Sequence, residues 1–339
     1  MAKKKNSSAQ KKEKNILNYI PLALGGIILI AVIAIVIRIL IWNQGEEYII
    51  DENEIPDLTT ETLDYMFFKN PALLEGNEDD GELQVCILGN DTYRYNEDGK
   101  SIVEMLQENM DATIYDCVLE GSRLCTKNSR WDEEFPENNN ALDAFAFFWL
   151  SNGIQNQDYS RQWNEIDRLP EHIDKERYKE VLTLMESIDF TKVDLMLVCY
   201  DGHDYLEDAP GSIVDKPFTI ISMEGAMNSA YEQYKVNYPF MQLVFVAPTY
   251  CYEVLEDGTV KGADFPNEYS ASLPDTLAYV ANASMNYYVS YLDNYYGVKI
   301  NGETSDEYLL EDGVIPNAAG RKLIADRIAK YINERMEMK

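Results

Sequence analysis

Histidine is almost missing from this chain. Two occur in 339 residues, His172 and His203. Chemistry that needs an imidazole is therefore confined to two positions. Cysteine is sparse as well: five residues and no Cys-x-x-Cys pair. No His/Cys cluster has the spacing of a zinc site. Cys86 and Cys199 lie inside the apolar, strand-like runs "LQVCILG" and "VDLMLVCY" and read as buried thiols. Spacing alone does not decide whether Cys117 and Cys125 pair. Positive charge is the third shortage. The chain holds 29 Lys and Arg against 59 Asp and Glu, a formal charge of −30. Beyond residue 42 the balance falls further, to 22 basic against 58 acidic residues, a charge of −36. Such a surface repels nucleic acid and anionic lipid headgroups, so nucleic-acid binding is not expected.

The N-terminus is the one basic stretch. "MAKKKNSSAQKKEK" contains six Lys and one Glu, and Pro21 to Ile37 then carries no charge at all. Roughly 20 helical residues span a hydrocarbon core about 30 Å thick. Residues 20–42 suffice, with Arg38 snorkelling and Trp42 anchoring at the outer interface. The lysines predict a cytoplasmic N-terminus, so the chain is expected at the cell membrane with its C-terminal part extracytoplasmic. A cleaved signal peptide fits less well, because the apolar run is long and no small-x-small site follows it. The expected organisation is a Lys-rich tail over 1–19, a transmembrane helix over 20–42, an acidic spacer over 43–80 and one domain over 81–339. One helix near Leu58–Phe68 is expected within the spacer.

From residue 81 the pattern alternates. Leu83–Leu88, Ala112–Leu119, Val193–Tyr200 and Gln242–Pro248 read as strands, with a short fifth at Val298–Ile300. Helices are expected over Ser101–Met110, 141–154, Lys175–Ser187, Phe218–Tyr238, Leu273–Tyr296 and a terminal segment following Pro316. "NYYVSYLDNYY" at 286–296 reads as the Tyr-rich end of a helix packed on the sheet rather than as a sugar-stacking face. Strands alternating with helices argue for a parallel sheet covered on both faces, a three-layer α/β/α, flavodoxin-like arrangement of about five strands. In such sheets ligands bind beyond the carboxyl ends of the strands. That rule gathers Gly89–Thr92, Glu120–Arg123, Asp201–Asp204 and Pro248–Tyr252 around one crevice.

Those loops carry a family resemblance. "VCILGNDTY", "VLEGSR", "LVCYDGHDYL", "LVFVAPTY" and "DGVIPNAAGRKLIA" occur in that order on the expected elements. Together they resemble the blocks of the SGNH (GDSL-type) hydrolases, over about residues 82–332. The resemblance implies an esterase fold in which a Ser nucleophile is activated by a His, itself oriented by an Asp three residues earlier. Backbone and side-chain donors from Ser, Gly and Asn positions form the oxyanion hole. Carried over position by position, little of that machinery remains. The Ser position is Asp91, preceded by Gly89 and Asn90. The His position is Ile315, and the Asn position is His203. The Gly two before it is Asp201. Only Gly121 and Asp312, the orienting-acid position, match.

A triad lacking a member loses most of its rate, and Ile315 accepts no proton. The leading expectation is a catalytically degenerate relative that binds a cell-surface ligand or partner. The resemblance suggests an acylated glycan or a membrane acyltransferase system, and implies no cofactor. The alternative is an ester hydrolase rebuilt on Asp91 and His203, which are expected to face each other. In that case they act as acid and base or hold a metal with Asp201 or Asp204. A displaced nucleophile at Thr92 lacks a recognisable base. The third possibility is a spacer domain whose cleft is filled by Ile315 or Tyr205. Asp204 is expected to bond loop backbone, and Asp312 to cap the terminal helix or its turn.

Overall fold

The computed structural model describes Val32, residues 62–67 and residues 81–336. All features below except Val32 belong to the compact unit Thr60–Lys339. The predicted span over 20–42, apart from helical Val32, and most of the spacer lie outside the described residues. Among the described residues no helix is long and apolar enough to cross a membrane.

Five strands form the central sheet: β1 (Gln84–Gly89), β2 (Thr113–Val118), β3 (Leu195–Cys199), β4 (Gln242–Val246) and, after a small two-stranded antiparallel ribbon β5 (Tyr252–Val254) and β6 (Val260–Gly262), β7 (Ser290–Leu292). The order is β2-β1-β3-β4-β7, and every pairing in it is parallel. Strands β1 and β3 are central and buried along their full length. Their sequences, QVCILG and LMLVC, lack polar alternation because helices cover both faces.

The helices begin where their sequences supply caps. Ser101 accepts from the Glu104 amide while Glu104 reaches back to the Ser101 amide, so α1 (Ile102–Asn109) starts in a capping box. Asp174 caps α3 (Lys175–Ser187), Ser222 caps α4 (Met223–Asn237) and Ser272 caps α5 (Leu273–Asn286). One layer packs α1 against the terminal helix α6 (Ala318–Met336). In the other, α2 (Phe147–Asn156) packs on α4 and α4 on α5.

Four expectations need correction. The fifth strand is Ser290–Leu292, not Val298–Ile300. Correspondingly, the helix beginning at Leu273 stops at Asn286 instead of running to Tyr296. Tyr288 takes φ 57° and the chain reverses, which frees "SYL" to join the sheet edge. Tyr291 is thus a core strand residue, not part of a helical face. The predicted helix over 141–154 divides at extended Ala146 into a 3-10 turn, Ala141–Phe145, and α2. Residues 62–67, part of the helix expected near Leu58–Phe68, are not helical, and Tyr65 forms an antiparallel bridge with Tyr291 that places this segment on the sheet edge. Arg327 ties this segment to the terminal helix through both carboxylate oxygens of Asp64.

Candidate functional site

The carboxyl ends of β1 and β3 are held very close. A Cβ on Gly89 would run into the Cys199 carbonyl, so glycine is required there. Immediately beyond, Asn90 and Asp201 clasp each other. The Asn90 amide Nδ2 donates to Asp201 Oδ1 at 2.8 Å, and the Asp201 backbone N–H donates to Asn90 Oδ1 at 3.1 Å. Thr92 Oγ1 donates to Asp201 Oδ2 at 3.0 Å. The His203 backbone N–H and its ring Nδ1 both meet Asp201 Oδ1, at 3.1 and 2.7 Å. Asp201 is buried, and each of its oxygens is satisfied. Burial alone would raise its pKa, but the positive His203 and its hydrogen bond outweigh that and hold the carboxyl well below the usual range. Burial pushes His203 the other way, yet the Asp201 charge and hydrogen bond carry it up to about 9.

Asp91 lies beside this pair. Its Oδ2 accepts from the Gly121 backbone N–H at 2.8 Å. Gly121 has φ +74°, which aims that N–H into the crevice and suits glycine best. Arg123 Nη1 stands 3.6 Å from the same oxygen, while its Nη2 pairs with Glu207 at 2.6 Å. Lys127 adds a second cation to Glu207 at 2.7 Å. Burial, reinforced by the charge of Asp201, raises the Asp91 pKa, against the opposing pull of Gly121, Arg123 and His203. Ligand atoms of Asp91, Asp201 and His203 all lie within 4.8 Å of one another.

The sequence-predicted positions separate into two groups. Gly89, Asn90, Asp91, Gly121, Asp201 and His203 gather at this crevice. Asp204 is buried nearby, and its carboxylate accepts from the Leu124 and Cys125 amides at 2.9 and 2.8 Å. That is the backbone-bonding role expected of it. Asp312 is exposed and directs its Oδ1 to the Val314 and Ile315 amides at 2.8 and 2.9 Å, so it caps its own turn. The helix after that turn is capped instead by Asn317. Its neighbour Val314 does reach the crevice, lining with Thr92, Asp201, Thr249 and Ile324 a cavity of about 10 Å³, the size of one water. Tyr205 is buried with its hydroxyl on the Gly262 and Phe265 carbonyls and does not fill the crevice. The five cysteines, all buried, are free thiols, Cys117 and Cys125 included.

Arg123, Lys127 and Glu207 were not singled out by sequence reading. Arg123 had one usable signal: a basic residue two positions after the Gly121 turn in a chain poor in basic residues. Glu207 had none, because its partner lies 84 residues away.

Neither a family model nor a curated protein matches the sequence. Solved structures do. One crystal structure aligns with a TM-score of 0.51 at 16% identity, over 76% of this chain and 99% of its own. A protein from Chitinophaga pinensis described as a possible lipase aligns with 0.45 at 13% identity, over 75% and 98%. One from Slackia heliotrinireducens named for the SGNH hydrolases aligns with 0.40 at 14%, over 74% and 98%. The parallel sheet of order β2-β1-β3-β4-β7, with its motif-bearing loops at the carboxyl ends of β1, β2 and β3, belongs to a three-layer fold shared with the first of these structures.

Proposed function

We propose that this chain is a catalytically degenerate SGNH/GDSL-type protein whose crevice binds rather than hydrolyses. The observation that carries the reading is the Asp91–Gly121 contact. In the resembling enzymes the equivalent of the Gly121 amide serves a reacting oxygen. Here a carboxylate of the protein itself occupies that amide at 2.8 Å. An anionic acyl-transfer intermediate would have to displace Asp91 and would then face its charge. The position of the base is Ile315, whose own amide is spent on Asp312. A hydrophobic N-terminal span after six lysines supports placement at the cell membrane, single-pass, with the domain outside. An acylated cell-surface glycan, or the membrane acyltransferase system that makes one, is the partner class the resemblance suggests.

One observation favours a second reading, a rebuilt hydrolase: Asp91, Asp201 and His203 converge. The test is release of nitrophenol from nitrophenyl acetate by the full chain in detergent, with and without divalent metals, beside Asp91→Ala and His203→Ala. Turnover no greater than that of the variants is expected. Turnover abolished by either substitution would sink the non-catalytic reading. Restoring the family residues in Asp91→Ser/Ile315→His is expected to raise turnover above the native chain, since the fold and Gly121 remain.

A further inference from the structure

The charges around the crevice do not balance. The ion-paired and hydrogen-bonded network contains four carboxylates, Asp91, Asp201, Asp204 and Glu207. Two permanently basic side chains, Arg123 and Lys127, stand against them. Even counting His203 as positive, the four carboxylates outnumber the three cations. Burying uncompensated charge is costly unless something pairs with it. Glu207 is clamped by both basic side chains and Asp204 by two backbone amides, which leaves Asp91 and Asp201 to share Arg123 and His203.

Those two carboxylates and the His203 imidazole come from the loops after β1 and β3. A transition-metal ion of the zinc class sits about 2.0–2.2 Å from oxygen and nitrogen ligands, so its ligand atoms are about 3–4.4 Å apart. The three side chains already present ligand atoms within 4.8 Å of one another. Little movement closes that gap. In the structure as it stands, His203 Nδ1 and Asp201 Oδ1 form the shortest edge, 2.7 Å. We infer that Asp91, Asp201 and His203 form a binding site for one divalent cation. One imidazole with two carboxylates favours zinc, cobalt or manganese over calcium, which prefers an all-oxygen shell. Arg123 stays paired with Glu207 beside the site. The Asn90 and Thr92 hydrogen bonds to Asp201 hold its carboxylate as an outer shell. This inference concerns the same crevice as the proposed function but does not rest on the crevice being inert.

The experiment is isothermal titration of ZnCl₂ into the chelator-treated full chain in detergent at pH 7.5, with CoCl₂ followed by visible absorption. One ion per chain is expected. His203→Gln and Asp91→Ala should each weaken binding at least tenfold. His172→Ala, at an exposed position outside the crevice, should leave it unchanged. Because a variant can misfold, the native chain with isotope-labelled histidine provides a second readout. Zinc should shift the His203 ring resonances and leave those of His172 in place. Absence of zinc binding up to millimolar concentration overturns the site, as does binding unaffected by His203→Gln or a shift confined to His172. Failure here leaves the esterase result standing. Conversely, zinc-dependent turnover would keep the site and remove the non-catalytic reading.

Discussion

The His203 imidazole should make its own contribution to stability depend on pH. His203 titrates near 9 in the folded chain, against about 6.5 for an ordinary histidine, because Asp201 holds its charged form. At about 1.4 kcal/mol for each tenfold change in proton affinity, that difference corresponds to about 3.5 kcal/mol of stability. About a quarter of the side chain is exposed, which makes this an upper figure, so about 2–3 kcal/mol is expected. The lowered pKa of Asp201 is the same interaction seen from its partner and adds nothing further. Since the folded-state pKa is raised, the contribution is complete below about pH 6.5 and disappears as pH rises through about 9. His203→Gln removes the charge while keeping a polar side chain. Urea denaturation should therefore find the variant weaker by about 2–3 kcal/mol at pH 6, and by about 1 kcal/mol or less at pH 10, where only a neutral hydrogen bond has been exchanged. Labelled-histidine NMR on a chain with only two histidines reads the titration directly, with His172→Gln assigning the other signal. Equal destabilisation at pH 6 and pH 10, or a His203 midpoint at or below 6.5, would refute the reasoning.

Other consequences are as open to measurement. Gly121→Ala forces a Cβ into a φ of +74° and to within 3.0 Å of Ile173 Cδ1, so a loss of about 1–2 kcal/mol is expected in urea titration. Arg321 is fully buried, donates to the Lys100 and Pro316 carbonyls and pairs with Asp98. Arg321→Ala should cost about 3 kcal/mol or more and lower the melting temperature by several degrees. Asp204→Ala strips the acceptor from two buried amides at Leu124 and Cys125, with an expected loss of about 2–3 kcal/mol by denaturation. Ellman's reagent should find no fast-reacting thiol in the native chain and five after unfolding, since every cysteine is buried and unpaired.

The fold was readable because its signals are local and redundant. QVCILG and LMLVC are continuous apolar runs, each flanked by a turn, which is how a strand buried on both faces looks. The misread edge strand had no such signal. "NYYVSYL" offers tyrosines that suit a helix or a strand equally, and the deciding event is the left-handed turn at Tyr288. Crevice membership was readable too, since the strand-end rule places Asp91, Gly121, Asp201 and His203 together. What each side chain does there was less visible. The Asn90–Asp201 clasp and the Arg123–Glu207 pair join positions 111 and 84 residues apart, and nothing in the intervening sequence marks them. Asp204 and Asp312 were legible because their partners lie on backbone, where short acidic side chains at turns commonly find them.

The contact between Asp91 and Gly121 also bears on what a lone change at that position would do. Serine at position 91 would leave the Gly121 amide and the Arg123 guanidinium without their carboxylate. Each such loss costs about 1–3 kcal/mol in a partly buried place. The new hydroxyl would gain no base, because position 315 is still isoleucine. Position 203 is engaged with Asp201 and is not free to substitute. Serine at position 91 alone is thus expected to be destabilising and to bring no activity.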